Sequence, residues 1–215
     1  MSTRILLADD HTLLRGLLRS ELESHSDVEV VGEAEDGRKA MQLVRELVPD
    51  IVIMDIAMPN LNGMDATRQI VREFPAVKVI ALSMHHNRKF VINMLNAGAS
   101  GYLLKDCTSQ ELVEAIRTVA GGGACLAPKK VVKEVTDWIQ DPQKPESLLD
   151  TLKDREREVF QLLVEGKNTK EIAIVLHLTD KAIQAIRHKI MEKLNAHSIV
   201  DLVLIALQEG IISIE

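Results

Sequence analysis

Aromatic side chains are almost missing from this 215-residue chain, which has one Trp, one Tyr and three Phe. Its cores must be built from Leu, Val, Ile, Ala and Met. Cysteine is as scarce: Cys107 and Cys125 are too few for a disulfide framework, and reduced thiols in the cytosol are the expectation. No apolar run approaches the roughly 20 residues that span a bilayer, and the polar start Met1-Ser2-Thr3-Arg4 does not read as a signal peptide. A membrane is therefore not an expected partner. Net positive charge is absent too. Residues 1–125 carry 13 Lys+Arg against 17 Asp+Glu, residues 126–149 carry four of each, and residues 150–215 carry 9 against 11. Composition alone gives no support for nucleic-acid binding, so that support must come from local charge placement.

What is present is order. Hydrophobic residues make up 46%, as in a globular chain long enough for one or two cores. The stretch Ile51-Val52-Ile53-Met54 runs without a break into Asp55, with Pro59 four places later. A short unbroken apolar run reads as a strand buried on both faces, and Asp55 then sits at its carboxyl end, where open α/β sheets place ligands. Four similar strands are expected at Arg4–Ala8, Val28–Gly32, Val77–Ser83 and Gly101–Leu104. Helical periodicity fills the gaps. Leu13, Leu14, Leu17, Leu18 and Leu22 mark the first helix, and a second follows Asp36-Gly37. A third runs from Gly63 to Phe74 and a fourth from Phe90 to Ala97. Ser109 is expected to cap a fifth, which Gly121-Gly122-Gly123 ends. This alternation predicts an α/β domain over residues 1–125, a doubly wound five-stranded parallel sheet of order 2-1-3-4-5.

Residues 126–149 read as a partly helical linker. Lys129–Gln140 has helical spacing, Trp138 packs it onto a domain, and Pro142 and Pro145 end it. Residues 150–215 carry only helical signal. Helices are expected over Arg155–Glu165, Thr169–Leu176 with Thr169 as cap, Lys181–Leu194 and Ile199–Gln208, an all-α helix-turn-helix module.

In the first domain the order 2-1-3-4-5 brings Asp9, Asp10, Asp55, Ser83 and Lys105 to one edge. Three carboxylates in one cleft repel one another and call for a cation, and oxygen ligands with room for water suit Mg²⁺. A carboxylate kept ionised by metal and Lys can attack phosphorus. The metal, Lys105 and the Ser83 hydroxyl would neutralise the transferring phosphoryl oxygens. These residues, with Met58-Pro59 and Gly63, resemble the CheY-like receiver domain of response regulators. The resemblance implies phosphorylation of Asp55 by a partner sensor histidine kinase. It implies Mg²⁺ on Asp10, Asp55 and the Ala57 backbone carbonyl, with Asp9 helping through water, and rearrangement of Ser83 and Tyr102 on phosphorylation. Asn60 and Asn62 stand where relatives often have Gly and Asp. His85 and His86 read as surface-loop residues that tune water access. A phosphoaspartate hydrolase would need a second acid two residues after the nucleophile, where this chain has Ala57, so an enzyme is not expected.

Residues 152–215 resemble the LuxR-type helix-turn-helix domain of NarL/FixJ response regulators, through Arg155-Glu156, Glu165-Gly166, Thr169-Lys170-Glu171-Ile172-Ala173, Leu178-Thr179, Arg187 and Lys193-Leu194. Along residues 181–194, Ile183, Ile186, Ile190 and Leu194 leave Lys181, Gln184, Arg187, His188 and Lys189 on the other side. Lys181, Gln184 and His188 share one face at spacings of three and four. Together with Lys193, Thr169 and Lys170 these are the candidate contacts to double-stranded DNA. Where relatives tend to have Thr-Val-Glu-Thr-His-Arg, this chain reads Ala182-Ile183-Gln184-Ala185-Ile186-Arg187. That departure leaves two readings: a DNA-binding regulator with altered operator preference or affinity, or a domain turned to protein interaction. The last helix is unusually apolar, and Ile199, Leu202, Val203 and Ile205 are the expected contacts of a homodimer formed on phosphorylation.

Overall fold

The computed structural model describes residues 2–84, 88–126, 147–209 and 211–212. The expected linker helix with Trp138, and His85 and His86, lie outside the described residues. The chain forms two compact units that divide between Lys144 and Pro145.

The first unit alternates strands and helices: β1 (Thr3–Ala8), α1 (Thr12–Glu23), β2 (Val28–Ala34), α2 (Gly37–Leu47), β3 (Ile51–Asp55), α3 (Gly63–Glu73), β4 (Lys78–Ser83), α4 (Arg88–Asn96), β5 (Gly101–Leu104), α5 (Ser109–Ala120) and β6 (Cys125–Leu126). The paired strands are parallel, in the order 2-1-3-4-5 with β6 added at the edge beside β5. The expected order holds. The sixth strand is only two residues long, too short to leave a periodic signal.

The unbroken apolar run of β3 has a direct explanation. Ile51 and Ile53 join a core with Leu112, Ile116 and Val119 of α5, while Val52 and Met54 join a second core with Ala40, Val44 and Ile70. A strand covered by helices on both faces has no polar side to alternate with. The first helix differs from expectation. Leu22 is its only fully buried leucine among those named, Leu14 and Leu18 are half-buried, and Leu13 and Leu17 are 86% and 69% exposed. Its apolar stripe is wider than the sheet edge that it covers.

Caps fix where helices start. The cap of α5 is Thr108, not Ser109: its hydroxyl accepts from the Glu111 N–H at 3.2 Å, and Glu111 reaches back to the Thr108 N–H at 2.8 Å. At the other end of α2, Val48 sits in the left-handed region at φ +45. A β-branched residue is strained there. Val48 is more than half exposed, so it returns little burial, and the Arg4 bond to its carbonyl does not involve its side chain. Replacing Val48 with Gly is expected to stabilise this unit by about 1 kcal/mol, seen as a higher urea midpoint with an unchanged slope; an unchanged or lower midpoint would contradict the strain.

The second unit begins with a 3₁₀ turn (Leu148–Thr151). It continues as α6 (Asp154–Val164), α7 (Thr169–Leu176), α8 (Asp180–Lys193) and α9 (Ile199–Glu209). One core holds Val159, Phe160, Leu162, Ile172, Leu176, Ile183, Ile190, Leu202 and Ala206. The α7–α8 connection is three residues, with His177 at φ +53 closing α7 and Thr179 capping α8. That short connection is the helix-turn-helix arrangement expected. The cap of α7 is Asn168, whose side-chain oxygen accepts from the N–H groups of Lys170 and Glu171, so Thr169 is the first helical residue. Among the described residues no helix is long and apolar enough to cross a membrane.

Candidate functional site

Three strand ends meet where the sequence expects them. β1 delivers Asp9 and Asp10, β3 ends on Asp55, and β5 is followed by Lys105. The Lys105 ammonium lies 2.8 Å from an oxygen of both Asp9 and Asp55. Asp55 Oδ2 accepts a hydrogen bond from it, and Asp55 Oδ1 takes the backbone N–H of Ile56 at 2.7 Å. Asp9 Oδ1 takes the His11 N–H at 2.8 Å, while its Oδ2 faces Lys105 as an ion pair without an aligned hydrogen bond.

Both Asp55 and Asp9 are buried and Asp10 is exposed. Burial pushes the Asp55 carboxyl up to about 6, although the Lys105 charge pulls it back. For Lys105, burial works against the charged form, but the charge and hydrogen bond of Asp55, with the Asp9 carboxylate beside them, outweigh it and hold the ammonium above its ordinary value. Asp55 is therefore a mostly ionised, poorly solvated carboxylate at neutral pH.

The glycine after the loop is dictated by the backbone. A Cβ at Gly63 would lie 1.8 Å from the Asp55 carbonyl oxygen, and the Gly63 N–H bonds the Ile56 carbonyl at 2.9 Å. The chain thus folds back directly behind the acidic residue. Asn60 takes the left-handed conformation at φ +65, and its amide donates to Asp36 at 2.8 Å, tying the loop to the start of α2. Asn62 caps α3 through the Asp65 N–H. Both asparagines therefore hold the loop that leads from Asp55 into α3.

Ser83 and Tyr102, from β4 and β5, are buried and hydrogen-bonded to each other, and burial raises the Tyr102 phenol to about 12. Ala57 lies in the loop just past Asp55. Side-chain donor atoms of Asp9, Asp10, His11 and Asp55 lie within 4.8 Å of one another. Three carboxylates face one ammonium, so negative charge is in excess, and a donor set dominated by hard oxygens fits a divalent cation such as Mg²⁺. His11 was not singled out from sequence; its Nδ1 stands 3.1 Å from Asp9 and 2.8 Å from Asp10.

In the second unit Lys181, Gln184, Arg187, His188 and Lys189 are all exposed on α8, with Ile183 and Ile190 buried behind them. Lys170 is exposed and Thr169 half-buried at the start of α7. Ala185 is also exposed beside Gln184, a position that the sequence reading passed over.

Two of the candidate sets include residues with partners inside their own unit. The Lys193 ammonium is 2.6 Å from Glu156 and donates to the Thr151 carbonyl at 3.0 Å. Burial would raise the Glu156 carboxyl, but Lys193 and the Lys153 N–H hold it below its ordinary value. Lys193 thus joins α8 to the start of α6. In α9, Leu202 is fully buried in the domain core and is not available to a second copy, while Ile205 is half-buried against that core. The exposed apolar residues of that helix are Ile199, Val200 and Leu204, with Val203 half-buried.

Comparison with known proteins agrees with both halves. Residues 5–117 match the response regulator receiver domain, and residues 150–206 match the bacterial regulatory proteins of the luxR family. The chain is 36% identical to the response regulator UvrY of Escherichia coli K12 over 98% of this chain and 96% of that one. It is 34% identical to the transcriptional regulatory protein DegU of Brevibacillus brevis over 96% and 94%. A solved complex of the response regulator RcsB with DNA superposes with TM-score 0.58 at 27% identity, covering 97% of this chain and 99% of that one.

Proposed function

This chain belongs to the NarL/FixJ family of two-component response regulators, DNA-binding transcription regulators that join a receiver domain to a LuxR-type helix-turn-helix domain, and from that premise we propose that Asp55 is its phosphoacceptor and α8 its reading helix. The observation that carries the first half is the Lys105 ammonium 2.8 Å from both buried carboxylates at the end of β3. An Asp55 oxygen attacks phosphorus while the P–N bond to a phosphohistidine donor, or the P–O bond to acetyl phosphate, breaks. The leaving group keeps the electron pair. Ile56 N–H fixes one carboxylate oxygen, and Lys105 balances charge on the transferred group. Bound by Asp10, Asp55 and the Ala57 carbonyl, with Asp9 beside them, Mg²⁺ would supply further neutralisation of the phosphoryl oxygens. Ser83, released from Tyr102, donates to the new phosphoryl group, and Tyr102 follows the space that it leaves. The partner donor is a sensor histidine kinase. A cavity of about 230 Å³ between α1 and α5, walled by Leu14, Leu17, Leu112 and Lys105, offers an apolar surface beside the acceptor.

The output is double-stranded DNA. Lys181, Arg187 and Lys189 meet phosphates, while Gln184 and His188 reach base edges with Ala185 between them. Thr169 and Lys170 lie at the helix start that faces the backbone. The stripe of exposed Ile199, Val200 and Leu204 with half-buried Val203 on α9 pairs with the same stripe of a second copy, matching paired half-sites. Phosphorylation shifts an existing equilibrium toward this dimer, and the protein acts in the cytoplasm, where its kinase and DNA are. Sedimentation and DNA retention, measured with and without acetyl phosphate and Mg²⁺, test the linkage. A phosphorylation-dependent dimer with tighter, salt-sensitive retention is expected; monomers in both states would remove the dimer.

A further inference from the structure

Arg15 stands one turn into α1 and takes no part in the chemistry above, yet its side chain is only 12% exposed. Its Nη1 donates to the Asp9 backbone carbonyl at 2.5 Å and its Nε to Glu33 Oε2 at 3.2 Å. Glu33 is gripped on its other oxygen by Arg19 Nη1 at 2.8 Å, and Arg19 in turn bonds Glu23. The Asp9 N–H bonds the Ala34 carbonyl of β2 at 3.1 Å. Both backbone groups of Asp9 are thus tied, one by the neighbouring strand and one by Arg15. Glu33, adjacent in sequence to Ala34, braces the arginine from that same strand.

We infer that Arg15 is a positioning residue: it fixes the Asp9-Asp10 turn so that both carboxylates point into the acidic pocket, and it thereby sets the pocket's affinity for a divalent cation. Without it the Asp9 carbonyl loses its donor from α1, and the turn that carries two of the three carboxylates keeps only the Ala34 bond and the His11 N–H on Asp9 Oδ1. The nearby guanidinium charge also offsets carboxylate repulsion around the Asp9 backbone. Groups that orient metal-holding residues change metal affinity by about 10- to 100-fold when removed.

This inference rests on the reading of the pocket as a Mg²⁺ and phosphoacceptor site. Titration calorimetry with Mg²⁺ on the full chain tests it, comparing wild type, Arg15→Gln, Arg15→Lys and Glu33→Gln, with thermal melts of each. Arg15→Gln is expected to weaken Mg²⁺ binding about tenfold. Arg15→Lys, which keeps a donor and a charge, recovers part of that, and Glu33→Gln gives a smaller loss. Melting temperatures should follow a different order from the affinities, because a merely structural role would move stability and leave affinity alone. A dissociation constant for Arg15→Gln within twofold of wild type overturns the inference while leaving the pocket standing. No saturable Mg²⁺ binding by the wild type overturns the pocket reading and this inference with it.

Discussion

Asp55→Asn abolishes phosphoryl uptake and also makes the protein more stable at neutral pH. The two effects have one origin. Asp55 is buried at the end of β3, and burial raises its carboxyl from 3.8 to about 6. A folded-state value above the unfolded one means that the folded protein holds the proton more tightly. The contribution to stability is then full below pH 4 and is lost as pH rises through 6. Ionised Asp55 therefore costs the metal-free fold about 3 kcal/mol at pH 7. The amide removes that cost but leaves Lys105 with Asp9 alone, so a net gain of about 1–2 kcal/mol is expected. Melts at pH 5 and pH 7 read this directly: the variant gains over wild type at pH 7, and the advantage shrinks by about 1.3 kcal/mol at pH 5. Added Mg²⁺ should raise the wild-type midpoint more than that of the variant, since one carboxylate is gone. Intact mass after acetyl phosphate and Mg²⁺ reads the chemistry. One added phosphoryl group on wild type and none on the variant is the expected result. Uptake by the folded variant would move the acceptor elsewhere, and Asp10, exposed beside the pocket, would be the first residue to examine.

The acidic pocket was legible because each of its members ends an apolar strand. Asp9 and Lys105 are the first residues after β1 and β5, Asp55 is the last of β3, and strand alternation places those ends together. His11 and Arg15 carry no such mark. Their place depends on how sharply the chain turns from β1 into α1, and nothing in Asp10-His11-Thr12 announces the angle. Caps slipped by one residue where two capable side chains adjoin, as in Thr108-Ser109 and Asn168-Thr169. In α1 the apolar stripe covers about half the circumference, and in α9 the apolar residues go nearly all round. Periodicity then cannot tell Leu22 and Leu202, which are buried, from Leu17 and Leu204, which are not. Lys193 is a different case. A lysine on a cationic helix looks like its neighbours until its partner is known, and Glu156 lies 37 residues earlier in the chain.

That partner makes the DNA prediction sharper, since α8 carries cations of two kinds. Lys181, Arg187 and Lys189 are exposed and aimed away from the core, whereas Lys193 is spent on the fold. Changing the first three to Ala together should weaken binding to random duplex by about a hundredfold at moderate salt. It should also reduce the slope of log affinity against log salt by about 3. Lys193→Met should leave that slope alone and lower the melting temperature instead, because it strands the buried Glu156 carboxylate at a cost of about 2 kcal/mol, discounted for the part-exposed lysine. Gln184→Ala should act differently again, costing about 1–3 kcal/mol on a preferred site and little on random sequence. If the triple variant keeps the wild-type slope while folded, α8 does not face phosphates and another surface meets DNA. If the phosphorylated wild type shows no salt-sensitive retention at all, the substitutions Ala182, Ala185 and Ile186 have emptied the reading helix, and the domain's partner is a protein. A lost slope in the triple variant with an intact one in Lys193→Met would assign the helix to the DNA and its last lysine to the core, a division that charge counting along residues 181–193 cannot make.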